Sequence, residues 1–239
     1  MRIDINCDMG ESYGQVKIGN DAAIMPFISS ANIACGFHGG DPVVIERTIC
    51  LALKYGVAVG AHPGYHDLEG FGRRPVNMSR EELRSSLLYQ VGALKSMTES
   101  LGGRLVHVKP HGAMYNLAAA DYETARIICD TVKEIDSSLV LFCLAGSSMC
   151  EAAKDAGLAF ASEIFADRAY NEDGSLMPRN LPGAVIHDPE IMLERALAMI
   201  GAWRRDTICI HGDNESAPGF VRMLHHELTV RGIKIERPC

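Results

Sequence analysis

Hydrophobic positions along the chain switch repeatedly between two periods. Short apolar runs bounded by turn residues, at 2–7, 28–35, 57–61, 105–109, 139–144, 158–163, 207–211 and 233–236, predict strands. The segments between them read as helices, several with their own start signals. Asp41-Pro42 and Asp188-Pro189 each place an acid at the N-cap and proline at the first helical position. Ser79-Arg80-Glu81-Glu82 is a capping box, followed by Leu83, Leu87, Val91, Leu94 and Leu101 at helical spacing. Gly56 and Gly102-Gly103 end two of these helices. Strand alternating with helix from end to end means one parallel sheet, and the absence of any linker or low-complexity stretch makes residues 1–239 a single domain.

The faces of the strands decide between an open and a closed sheet. Successive strand residues point to opposite sides. On the first strand Ile3, Ile5 and Cys7 share one face, and Asp4, Asn6 and Asp8 the other. Val106 and Val108 likewise oppose His107, Lys109 and His111, while Ile208 and Ile210 oppose Cys209, His211 and Asp213. An open doubly wound sheet is buried on both faces and reads as continuous Val, Ile and Leu. One apolar face and one polar face fit a barrel, with helices outside and polar groups lining the mouth. The expected fold is therefore a distorted (β/α) TIM-like barrel of seven to eight mostly parallel strands.

Four of those strand runs stop at a histidine followed by glycine or proline: His38-Gly39, His62-Pro63, His111-Gly112 and His211-Gly212. All strand exits of a parallel barrel share the face on which catalysis is done. Two long interruptions, 63–78 and 165–182, leave from the same face and are candidate walls or lids.

Composition narrows the function. A formal charge of −7 argues against nucleic-acid binding through bulk electrostatics. The first residues carry acids where a signal peptide needs its apolar core, and the apolar run 139–145 is too short to span a bilayer. A cytoplasmic protein without membrane contact is expected. The eight cysteines show no CxxC spacing. Cys7, Cys35, Cys143 and Cys209 fall in apolar runs and Cys50 and Cys129 on apolar helix faces, as small buried hydrophobes. Cys239 is expected to be exposed.

The candidate chemistry gathers at the strand exits. Asp8, His38 and His62 would make an adequate three-ligand set for a catalytic divalent metal, and serve equally as acid/base groups without one. Lys109 and His111 lie two residues apart on one side of an extended segment. A lysine there needs a carboxylate such as Asp4 or Glu163, or an anionic substrate. Asn6, Glu11 and Glu163 are candidate binding residues, and Arg168 is preferred as the anion contact over the Arg73-Arg74 pair, which reads as solvated surface. Asp213 is the candidate acid partner of His211. His66, His107, His187, His225 and His226 read as structural or surface residues. There is no GxxxxGK[ST], GxGxxG or GxSxG motif.

Six strings carry a resemblance: DINCDMGESYG (4–14), SSANIACGFHGGDP (29–42), GAHPGYHDLEGFGRR (60–74), VKPHGAMYN (108–116), FADRAYNEDGSLMPR (165–179) and ICIHGD (208–213). Together, in colinear order, they resemble the A-subunit family of 5-oxoprolinases, also described as lactam-utilisation proteins. Met9, Gly39 and Met114 are mild departures, standing where Leu, Ala and Leu are expected. The resemblance implies a barrel related to polysaccharide deacetylases and some glycoside hydrolases. It also implies an activity: ATP-dependent opening of 5-oxo-L-proline to L-glutamate, with Mg accompanying ATP and two partner subunits, B and C. Catalytic candidates on this reading are Asp8, His38, His62, Lys109, His111 and His211; substrate contacts are Asn6, Glu11, Arg168, Glu163 and Asp213. A metal-dependent deacetylase or amidohydrolase acting without ATP, and a non-catalytic substrate-binding subunit, stay open, as does self-association into a homo-oligomer.

Overall fold

A computed structural model describes residues 1–202 and 206–238. Cys239, expected to be exposed, lies outside the described residues. The strands are β1 (Arg2–Met9), β2 (Ser30–Ala34), β3 (Ala58–His62), β4 (Leu105–Val108), β5 (Val140–Leu144), β6 (Phe160–Phe165), β7 (Thr207–Ile210) and β8 (Lys234–Ile235). Between them run α1 (Asp21–Ile24), α2 (Pro42–Tyr55), α3 (Arg80–Ser100), α4 (Gly112–Ala120), α5 (Tyr122–Ile135), α6 (Ser148–Ala156), α7 (Pro189–Ala202) and α8 (Ala217–Val230). Every strand pairing is parallel, and β1 pairs with both β7 and β2, which closes seven strands into a barrel. The two-residue β8 adds to the foot of β1 beside Arg2 and Ile3.

The local start and stop signals act as the residues dictate. Asp41 accepts the amide hydrogens of Val43 and Val44, and Ser79 and Glu82 form the reciprocal capping box. Gly56, at φ 69°, ends α2 in the left-handed conformation. Ile3, Ile5 and Cys7 of β1 join Leu87, Val91, Phe220 and Leu224 in the principal core, between the barrel and its helices. Cys7, Cys35, Cys129, Cys143 and Cys209 are buried thiols, but Cys50 is exposed: it sits on the solvent side of α2 rather than its apolar face. Among the described residues no helix is long and apolar enough to cross a membrane.

A polar column runs through the barrel interior from foot to mouth. At the foot Asp4 accepts hydrogen bonds from the Ser29, Ser30 and Thr207 hydroxyls. Burial raises its carboxyl to about 6, those hydroxyls opposing the rise. One layer up, His107 lies across the interior, stacked on Phe142 with ring centroids 4.2 Å apart and its Nε2 2.8 Å from Asn32 Oδ1. Burial holds this imidazole down, at about 3, so it is a neutral filler. Gly60 makes room for it: a Cβ there would lie 2.0 Å from His107 Nε2. Val140, Phe142 and Ala161 complete the layer as a small separate apolar cluster.

Two outcomes follow. Gly60→Ala is expected to cost about 3 kcal/mol or more by overpacking, but less than about 1 kcal/mol in a His107→Ala background, where the clash is gone; urea unfolding of the four proteins tests this coupling. For Asp4, a folded-state value above the unfolded one means stability present at low pH and lost as pH rises from about 4 through about 6. Asp4→Asn should therefore gain on wild type across that window, by on the order of 3 kcal/mol. A stability difference that does not change with pH would contradict the assignment.

Candidate active site

A cleft of about 400 Å3 opens at the strand exits, lined by Asp8, His62, Lys109, His111, His211 and Arg168 together with Arg73, Tyr115, Asn116, Phe165, Pro178, Arg179 and Asn180. Both long interruptions form its walls, the segment after β3 giving Arg73 and the segment after β6 giving Arg168, Pro178, Arg179 and Asn180. His38 and Glu11 lie buried behind His111, while Asn6 and Glu163 lie beneath the floor with no exposed surface.

Lys109 is the centre of that floor. Its ammonium donates to Asp8 Oδ1 at 2.9 Å and meets Glu163 Oε1 at 3.3 Å, Asn6 Oδ1 at 3.3 Å and Cys209 Sγ at 2.8 Å. The lysine partners are thus Asp8 and Glu163, whereas Asp4 belongs to the hydroxyls at the barrel foot. Burial opposes the lysine's charge, but Asp8, Cys209 and Glu163 outweigh it and hold its pKa well above the ordinary value. Glu163 is itself fixed by Asn6 Nδ2 at 2.8 Å and the Tyr115 hydroxyl at 2.7 Å. Asp8 accepts from Asn32 Nδ2 at 2.8 Å. Against the penalty of burial, His62 and Lys109 hold the Asp8 carboxyl well below its usual range.

The imidazoles are ordered by backbone carbonyls. His62 Nδ1 lies 2.6 Å from the Lys109 carbonyl oxygen, and His111 Nε2 lies 2.8 Å from that of Phe71. Phe71 holds a left-handed backbone, φ 54°, in presenting that carbonyl, and the following Gly72 is left-handed too. A Cβ at Gly72 would lie 2.7 Å from His38 Cβ, so glycine lets this wall close on the cluster. His62 Nε2 and His111 Nδ1 approach to 2.9 Å, and Asp8 Oδ2 is 3.4 Å from the same His62 nitrogen. The expected metal set of Asp8, His38 and His62 is regrouped. The donor atoms gathered with His38 are those of Glu11, His62 and His111, within 4.8 Å of one another, while Asp8 falls with Cys209 and His211. Burial, then Asp8 and Asp213 nearby, raises the Glu11 carboxyl well above its usual value. Burial and the neighbouring imidazoles push His38 and His111 well below theirs.

The rim corrects three expectations. His211 pairs with Asp167, its Nδ1 2.9 Å from Oδ2, rather than with Asp213. Asp213 instead takes Arg73 at 2.6 Å and Arg179 at 3.9 Å. Arg168 reaches the cleft, yet its guanidinium donates to the carbonyls of Met177 (2.6 Å) and Ala184 (3.2 Å), so it braces the loop after β6. Arg73 is half-buried in its pair with Asp213 rather than freely solvated, while its neighbour Arg74 is exposed against Asp67. Arg73, Arg179 and Tyr115 had no strand-exit position to mark them. The one usable signal was the length of the two loops that carry the arginines.

Residues 3–239 match the LamB/YcsF family. The 5-oxoprolinase A-subunits of Syntrophobacter fumaroxidans and Heliobacterium modesticaldum are each 50% identical to this chain, over 98% and 99% of it and 98% of their own length. A crystal structure of a lactam utilization protein from Thermus thermophilus superposes with a TM-score of 0.93 at 45% identity, covering all of both chains. The catalytic domain of a peptidoglycan N-acetylglucosamine deacetylase from Eubacterium rectale shares the fold alone, with a TM-score of 0.55 at 8% identity over 98% of this chain and 88% of that one.

Lys109→Met should leave Asp8 and Glu163 buried without their cation and cost about 3–5 kcal/mol. Adding Glu163→Gln should recover part of that loss. Urea denaturation of both variants is the measurement, and a Lys109→Met protein as stable as wild type would deny the lysine its neutralising role.

Proposed function

The chain belongs to the LamB/YcsF family, and we propose that it is the lactam-opening subunit of an ATP-dependent 5-oxoprolinase, converting 5-oxo-L-proline to L-glutamate. The observation that carries this reading is the pre-paired Lys109 ammonium at the floor of a small cleft rimmed by Arg73 and Arg179. Curated relatives named as 5-oxoprolinase A-subunits, matched over nearly their whole length, support it. ATP with its Mg, the two partner subunits B and C and a cytoplasmic setting belong to the same reading.

A lactam is a resonance-stabilised amide, and its five-membered ring re-closes readily. Transfer of the γ-phosphoryl group of ATP to the lactam oxygen makes C5 electrophilic. Water then forms a bond to C5 and loses a proton, for which Asp8, at the cleft wall, is placed as base. The tetrahedral adduct has two exits. Loss of phosphate regenerates the lactam and wastes ATP. Cleavage of C5–N, with a proton delivered to nitrogen, gives the open acyl phosphate, which a second water hydrolyses to glutamate and phosphate. His211, held by Asp167 through Nδ1, lines the cleft and serves as the acid for that nitrogen. Lys109 faces the oxygen that carries the developing charge or the phosphoryl group. Arg73 and Arg179 are placed for the ring carboxylate.

Glutamate release from 5-oxo-L-proline by the chain reconstituted with its B and C partners, with and without ATP, tests the reading. ATP- and partner-dependent release is expected, and glutamate formed equally without ATP would overturn it in favour of a simple amidohydrolase. Arg179→Ala should raise KM about tenfold or more while changing kcat less. His211→Asn should raise the ratio of ATP consumed to glutamate formed. A ratio unchanged alongside a slower rate would remove His211 from the role of acid.

A further inference from the structure

The hydrogen bonds of His62 and His111 settle their tautomers. A carbonyl oxygen only accepts, so His62 Nδ1 carries a hydrogen toward Lys109 O, and His111 Nε2 carries one toward Phe71 O. In the neutral rings, His62 Nε2 and His111 Nδ1 are therefore both bare lone pairs, yet they face each other at 2.9 Å. Two lone pairs that close repel unless an electrophile lies between them, either a proton or a metal cation. A shared proton satisfies those two nitrogens and faces Asp8 Oδ2, 3.4 Å from His62 Nε2. It leaves Glu11 Oε1, 3.7 Å from His111 Nδ1, and both ring nitrogens of His38 buried without a hydrogen-bond partner, at the ordinary cost of an unmet buried polar group. A cation takes up the carboxylate oxygen as well.

We propose that His62 Nε2, His111 Nδ1 and Glu11 Oε1 form a two-histidine, one-carboxylate site for a divalent transition-metal cation. His38 is a positioning residue: it stacks on His111 with centroids 3.6 Å apart and planes 2° from parallel, and its Nε2 lies 3.3 Å from Glu11 Oε1. A ring stacked that way cannot aim an in-plane lone pair at the ion bound by its neighbour. Its Nε2 instead faces the carboxylate oxygen that the ion would take. The Lys109 and Phe71 carbonyls orient the two ligating rings.

Two imidazole nitrogens with one carboxylate oxygen suit a first-row divalent ion such as Mn2+, Fe2+, Co2+ or Zn2+. Such a centre leaves coordination positions open, and His62 and His111 both line the cleft. The site stands on its donor set alone and does not depend on the lactam reading.

The test uses the purified chain stripped with a chelator and titrated with CoCl2, followed by calorimetry and visible absorption. One Co2+ per chain, seen as a visible d–d absorption that saturates at that ratio, is expected. Glu11→Gln and His111→Asn should each weaken binding at least about tenfold, and Cys50→Ser, which removes an exposed thiol remote from the site, should not. No bound Co2+, or binding unchanged by Glu11→Gln and His111→Asn, overturns the proposal; the first outcome leaves a proton between the histidines, the second an adventitious surface ion. Should the variants not fold, X-ray absorption of the Co2+-loaded wild-type chain decides. Two imidazole nitrogens at about 2.1 Å support the site, and fewer than two dismiss it.

Discussion

An ammonium group inside a barrel has to be neutralised where it stands, and most of this interior is arranged around that requirement. Lys109 meets Asp8 from β1 and Glu163 from β6, with Asn6 and Cys209 taking its remaining hydrogens. Removing one partner of such a buried set is far more damaging than never having built it. The strands that carry the set are thereby constrained together. Glu163 needs Asn6 and Tyr115 to fix it, Asn6 shares Asn32 with Asp8, and Asn32 in turn holds His107. A continuous polar column links the foot of the barrel to the floor of the cleft.

That column explains an interior that would otherwise look badly chosen. Small barrels are filled by side chains, most often branched apolar ones. Here Val140, Phe142 and Ala161 supply part of that filling as a small cluster on one side. Gly60 gives up its side chain so that an imidazole can cross opposite them. The arrangement gives up apolar packing for a hydrogen-bonded support beneath Asp8 and Lys109. Reacting groups held from below in this way need little reorganisation when charge develops above them.

The fold and the face of action were legible from strand alternation, because a period of two with one polar side has few three-dimensional solutions. Asp8, His62, Lys109, His111 and His211 were legible for the same reason, since strand ends converge. Their partners were not. His211 is nearer in sequence to Asp213, but Asp213 is drawn off by Arg73 and Arg179, and the acid that reaches the ring comes from the loop after β6. Glu11 rather than Asp8 stands beside His38, because the glycine turn after β1 folds back where strand alternation no longer applies. The tautomers of His62 and His111 depend on main-chain carbonyls, which every residue possesses and no side-chain pattern marks.

The rim shows how a chain of net charge −7 can still gather arginines at the mouth of its cleft. Its arginines are not loose charges. Arg73 comes from the loop after β3, Arg179 from the loop after β6, and Asp213 from the exit of β7, so one carboxylate ties three walls. Unpaired arginines at a rim would be solvated and mobile, and binding would have to order them. Sharing Asp213 settles that ordering during folding, while two guanidinium groups on one carboxylate still leave a local excess of positive charge. Arg168 is committed to the Met177 and Ala184 carbonyls and adds charge without changing place. Burial, then Arg179, lowers it to about 10, as expected for a cation pressed against another. The global charge therefore says nothing about the cleft, whose sign is set by which acids the loops bring within reach.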